Sequence, residues 1–88
     1  MQVADSLMMF IQSAQMFLQN ELRIPFRNEV VKYMIVHHFE NFSAAYSRYR
    51  HSPDESARHA IAEVLKYSEQ QYEASAERAR STHQNIPV

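Results

Sequence analysis

The sequence predicts an all-α protein, and three observations carry that expectation. The 88 residues contain no glycine, where average usage of about 7 % would give roughly six. Tight hairpin turns of the primed types depend on glycine or asparagine, and neither Asn-Gly nor Asp-Gly occurs. Apolar residues recur three and four apart over long stretches, which is helical spacing. The prolines, Pro25, Pro53 and Pro87, stand where long helices would meet short corners. Together these predict a three-helix antiparallel arrangement over roughly residues 4–21, 27–50 and 53–80. One helical domain, 1–80, would be followed by a flexible tail, 81–88.

The first helix is organised by Leu7 to Leu22, LMMFIQSAQMFLQNEL. Between Gln2 and Asn20 the only charge is Asp5. Asp5 or Ser6 can cap its start, and Asp5 also suits the helix dipole. The core stripe is Leu7, Phe10, Ile11, Ala14, Phe17, Leu18 and Leu22. Met8, Met9 and Met16 fall off that stripe and form a second apolar strip. A helix apolar on nearly all sides needs cover on more than one side. Pro25 disfavours helical geometry at Ile24 and ends the element.

The second helix opens at Pro25 or Asn28 and runs to about Arg50. Its stripe is Val31, Met34, Ile35, His38, Phe42, Ala45, Tyr46 and Tyr49, flanked by Val30, Tyr33, His37 and Ala44. Val30, Val31, Ile35 and Val36 are β-branched, but the run does not alternate and no glycine turn bounds it. In the corner His51-Ser52-Pro53-Asp54-Glu55, Ser52 is the expected N-cap, Pro53 the first helical residue and Glu55 the partner in a capping box. The third helix buries a thin stripe: Ala57, Ala60, Ile61, Val64, Leu65, Ser68, Tyr72, Ser75 and Ala79. Glu69, Glu73 and Glu77 form an acidic ridge, and from Gln70 onward the helix is polar enough to project beyond the core.

Composition narrows the function classes. With no cysteine, disulfides and thiolate zinc sites are excluded. A net charge of −1 gives no general attraction to nucleic acid or anionic membrane. That charge is uneven. Residues 25–50 carry net +2 and residues 51–88 carry net −2, which suits antiparallel packing of the two segments. No positive n-region precedes the first apolar run. Gln12, Ser13 and Gln15 interrupt it well short of the ~20 residues a membrane span needs. A soluble, cytoplasmic protein is expected.

Specific chemistry finds little purchase. His37 and Glu40 share a helix face at a spacing that can hold a metal. Di-iron bundles, however, use Glu-x-x-His with glutamate first, and here the order is reversed. His38 reads as an interior histidine, so neither a metal nor any other cofactor is expected. Near an interface it would make assembly pH-sensitive. Arg78 and His83 are spaced R-x4-H. This resembles the catalytic pair of helical HEPN-type ribonucleases, where arginine and histidine meet across a dimer groove. The resemblance covers two residues, both in polar sequence. Without glycine there is no nucleophile elbow or phosphate-cradling loop, and no enzymatic role is expected.

Two surfaces remain. Arg48, Tyr49, Arg50 and Arg58, with Tyr46 and His51, pair phosphate-binding arginines with stacking rings. This is the alternative, a small nucleic-acid-binding regulator. Asp54 and Glu55 oppose it, because they occupy a helix N-terminus that would otherwise attract phosphate. The favoured expectation is a non-catalytic, protein-binding regulator of adaptor or inhibitor type. It would act through Met8, Met9, Phe10, Met16 and Phe17. Methionine adapts to varied surfaces, and three helices cannot wrap all of the first one. A homodimeric helical bundle joined through that helix is the expected assembly, with another protein as a further partner.

Overall fold

The structure, a computed structural model, describes residues 3–84. The described residues form four α-helices and one π-helical segment. Helix α1 spans Val3–Met16 and passes into the π-helical turns Phe17–Leu22. Helix α2 spans Asn28–His37, α3 spans Phe39–His51 and α4 spans Glu55–Gln84. The all-α expectation holds, and no strand occurs among the described residues. No described helix is long and apolar enough to cross a membrane.

The three-helix layout needs correction at the second helix, which is two helices. At His38 the backbone leaves helical geometry, with φ −129° and ψ 35°. His38 closes one helix and opens the next. Its N–H donates to Met34 O at 2.8 Å, and its own carbonyl accepts from Phe42 N–H at 3.0 Å. Three rings surround the break. Tyr33 lies 5.6 Å from the His38 ring and Tyr67 of α4 lies 5.1 Å from it. His37 stacks obliquely on Tyr33 at 4.3 Å. The bend lays both α2 and α3 along α4.

Helix α1 packs along α2, and no comparable packing joins α1 to α4. One core results, on which Leu18, Val31, Met34 and Ile61 are wholly buried. Ile11, Ala14, Leu22, Ile24, Phe42, Ala45 and Leu65 complete it. Leu7, expected in the stripe of the first helix, lies largely outside this core. Helix α1 begins at Val3, so Asp5 and Ser6, expected at its start, lie within its opening turns.

The end of the π-helical segment shows what the chain does without glycine. Arg23 takes the left-handed conformation, φ 55° and ψ 44°, the one described residue with positive φ. Both Arg23 N–H and Ile24 N–H then reach a single acceptor, Leu18 O, the latter at 3.0 Å. Helices commonly end this way, with glycine at the left-handed position. Here a side-chain-bearing residue holds it, and burial of Leu18, Leu22 and Ile24 around the turn offsets the cost.

The start of α4 is capped by Asp54, not Ser52. Ala57 N–H donates to Asp54 Oδ1 at 2.8 Å, and the Ser52 hydroxyl donates to Asp54 Oδ2 at 3.2 Å. The backbone N–H from Ala57, then the Ser52 hydroxyl, hold the Asp54 carboxyl below its usual range. Helix α4 runs on past Arg80 to Gln84, so part of the expected tail is helical. The rest of that tail, 85–88, lies outside the described residues. At 1.5 Å per residue, α4 is ~45 Å long. Its length explains a Cα radius of gyration of 15.2 Å, where a compact chain of this size would have about 12 Å.

Two predictions follow from these helix ends. Arg23→Gly removes the steric cost of the left-handed residue, and stability in urea should rise by ~0.5–1 kcal/mol. No change, or a loss, would show that the turn carries no strain. Asp54→Ala should lower the melting temperature at neutral pH by a few degrees. Because the folded carboxyl titrates below its ordinary value, its contribution is complete above that value and is lost as pH falls through the depressed one. The melting difference between parent and variant should therefore shrink below about pH 4. A difference constant down to strong acid would rule out the carboxylate as the cap.

Candidate functional site

The packing of α1 leaves one side of it without a neighbour among the described residues. Leu7, Met8, Met9, Phe10 and Met16 are between 41 % and 61 % exposed. Successive residues on an α-helix lie about 100° apart, which places these side chains. Ile11, Ala14 and Leu18 face the core. Met9 and Met16, seven residues apart, run along the opposite side. Phe10 and Phe17 form a second line between that side and α3, while Met8 lies on the flank away from them.

Helix α3 extends this surface. Phe39, 44 % exposed, meets Phe10 with ring centroids 5.3 Å apart. Phe17 is half-buried, its ring set edge-on to Tyr46 at 5.0 Å and to Tyr49 at 5.6 Å. Phe42 stacks on Tyr46 at 6.0 Å. Between the two helices lies a notch of about 130 Å³ lined by Phe10, Ser13, Ala14, Phe17, Phe42 and Tyr46. Its only polar side chains are the Ser13 and Tyr46 hydroxyls. The surface is apolar and carries no charge between Asp5 and Glu21. Four of the five residues expected to form an interface, Met8, Met9, Phe10 and Met16, are open to solvent. Phe17 walls the notch instead. Phe39, an off-stripe aromatic residue directly after the histidine pair, was not among the residues expected to form the interface.

The arginine cluster is arranged differently. Arg48 Nη2 donates to Ser56 Oγ at 2.7 Å, tying α3 to α4. Arg50 Nη1 donates to the Tyr46 hydroxyl at 3.0 Å and lies over that ring, 5.8 Å from its centre. That hydrogen bond raises the Arg50 pKa further. Arg58 Nε donates to Leu22 O at 2.9 Å, and its Nη1 pairs with Glu55 at 3.1 Å. Burial pushes the Tyr49 phenol up, and Glu21 beside it adds to the effect. All three arginines are therefore committed within the chain. The Arg58 bond matters most to the fold. It satisfies a carbonyl at the end of the π-helical segment that has no further helical partner.

The remaining motifs do not converge. His37 is exposed, and no group of three or more metal-ligating side chains occurs among the described residues. His38 Nε2 and Ser68 Oγ are buried with no hydrogen-bond partner. Arg78 is exposed on the projecting part of α4, and the side chain of His83 lies outside the described residues. On the far side of α2, Arg27 Nη1 pairs with Glu73 at 2.6 Å and lies 5.3 Å over the Tyr72 ring. The Glu73 hydrogen bond raises the Arg27 pKa. This contact takes one carboxylate out of the expected acidic ridge.

Compared with protein-family models, with curated proteins and with solved structures, the chain matches none.

Arg58→Ala leaves the Leu22 carbonyl without its charged donor and should cost about 1.5–3 kcal/mol in denaturant unfolding. Arg78→Ala, which removes an exposed arginine of the same helix, should change stability by less than ~0.5 kcal/mol. Equal effects of the two substitutions would show that Arg58 is an ordinary surface residue.

Proposed function

We propose that this chain is a non-catalytic, protein-binding regulator of adaptor or inhibitor type, and that α1 presents its binding face. The observation that supports this is the exposed line Met9–Met16 beside the Phe10–Phe39 pair. Isolated apolar residues on a surface are ordinary, but a contiguous apolar patch of several hundred Å² marks an interaction site. Each of these half-exposed side chains offers on the order of 1 kcal/mol when covered. The methionines adapt their shape to a partner, while the aromatic rings supply rigid contact area. An apolar helix face flanking a groove suits a partner that presents a helix of its own. The nucleic-acid alternative has less support, because Arg48, Arg50 and Arg58 each hold an acceptor within the chain.

The test is affinity capture from the cell of origin, comparing the parent with Met9→Glu. Met9 is largely exposed and is not a member of the buried core, so the variant should keep the parent's helical circular dichroism. A partner retained by the parent should be lost, with affinity at least about tenfold lower, since a carboxylate would be buried in an apolar contact. Equal retention by both proteins would overturn the reading.

A further inference from the structure

The uncovered side of α1 has an internal pattern that specifies what sits on it. Ser13, a small residue, lies between two ridges: Met9 and Met16 on one side, Phe10 and Phe17 on the other. Each ridge is a pair one heptad apart. We infer that the occupant is a second copy of the chain, with the two α1 helices antiparallel and the two-fold axis passing beside Ser13. This rests on the reading of the α1 face as an interface and fixes its occupant.

The register follows from the spacing. In an antiparallel pair centred on Ser13, the two-fold axis runs across the helices and keeps each ridge on its own side. Phe10 of one copy therefore meets Phe17 of the other, Met9 meets Met16, and symmetry makes each contact twice. Aromatic pairs are favourable, methionines adapt to one another, and one self-complementary patch is what a two-fold interface requires. Ser13 at the crossing lets the helix axes approach to the short end of the usual ~8–10 Å. The notch beside it, about 130 Å³, opens on the phenylalanine side of the crossing.

Two further considerations favour a second copy over a foreign protein. Foreign partners are selected largely by charges around the contact, and this face carries none between Asp5 and Glu21. In this register the like charges that approach are Asp5 and Glu21, at the two ends of the contact and outside its apolar centre. The available area fits as well. The exposed parts of Met9, Phe10, Met16 and Phe39 amount to on the order of 400 Å² of apolar surface, taking ~200 Å² for a large side chain. A standard interface uses ~800 Å² per partner, roughly 65 % of it apolar in homodimers.

The absence of cysteine makes the test clean. Ser13→Cys, Met9→Cys, Met16→Cys and the α4 control Gln70→Cys are oxidised mildly as full-length proteins, and the parent's mass is measured by sedimentation equilibrium at micromolar concentration. The parent should have twice the chain mass. Ser13→Cys, nearly isosteric and placed at the axis, should form a disulfide-linked dimer roughly tenfold or more faster than the other three, as a high effective concentration dictates. Equal linking at positions 9, 13 and 16 would mean parallel pairing and overturn the inference. So would a monomeric parent whose Ser13→Cys variant links no faster than Gln70→Cys. A monomer whose partner capture still depends on Met9 would overturn the dimer and leave the protein-binding reading standing.

Discussion

Helix α4 closes the core from one side only, and the rest of the architecture is arranged around that constraint. It is the longest element, yet its buried stripe consists of Ala57, Ile61, Leu65 and Ser68, with Ala60, Val64 and Tyr72 beside them. Such small residues let α2 and α3 approach closely. They cannot reach across those helices to α1. Helix α1 and the π-helical segment therefore bury Ile11, Ala14 and Leu18 in the core and leave the opposite side exposed. The ordering of layers, with α1 outside, α2 and α3 between and α4 beneath, makes one face available for association without any special loop or pocket.

Polar contacts hold these layers in place at their margins. The Asp54 cap starts α4, Arg58 fastens its first turns to the Leu22 carbonyl, and Arg48 reaches Ser56 across the corner. The first two satisfy groups that a helix end leaves without a partner, the Ala57 N–H and the Leu22 carbonyl, while the third joins two side chains. They also account for residues whose type suggested a different role. Arginines near tyrosines resemble a nucleic-acid surface in a linear sequence, because sequence shows the donors and not the acceptors already assigned to them.

The same distinction explains which parts of the fold were legible. The helical class, the first helix's excess of apolar residues and the thin face of the third follow from periodicity and composition, which are local properties of the chain. The uncovered Met8, Met9 and Met16 could be read for that reason. The break at His38 could not. No proline or glycine marks it, and the ring cluster that surrounds it joins Tyr33 to Tyr67, which are far apart in sequence. The π-helical segment and the left-handed Arg23 were hidden in the same way. Their determinant is the burial of Leu18, Leu22 and Ile24 together. At the α4 start, Ser52 and Asp54 are both good caps, and the choice between them depends on which N–H is within reach.

The overhang of α4 gives the molecule a mechanical property. Arg27, stacked on Tyr72 and paired with Glu73, ties that helix to the body. Beyond it, α4 continues to Gln84 as a cantilever with its fulcrum at Tyr72. A transverse pull on the free end is transmitted first to the Arg27 clamp and then to the neighbouring Tyr33, which rests against Tyr72 on one edge and the histidine break on another. The seam between α2 and α3 is thus joined, ring by ring, to the overhanging helix.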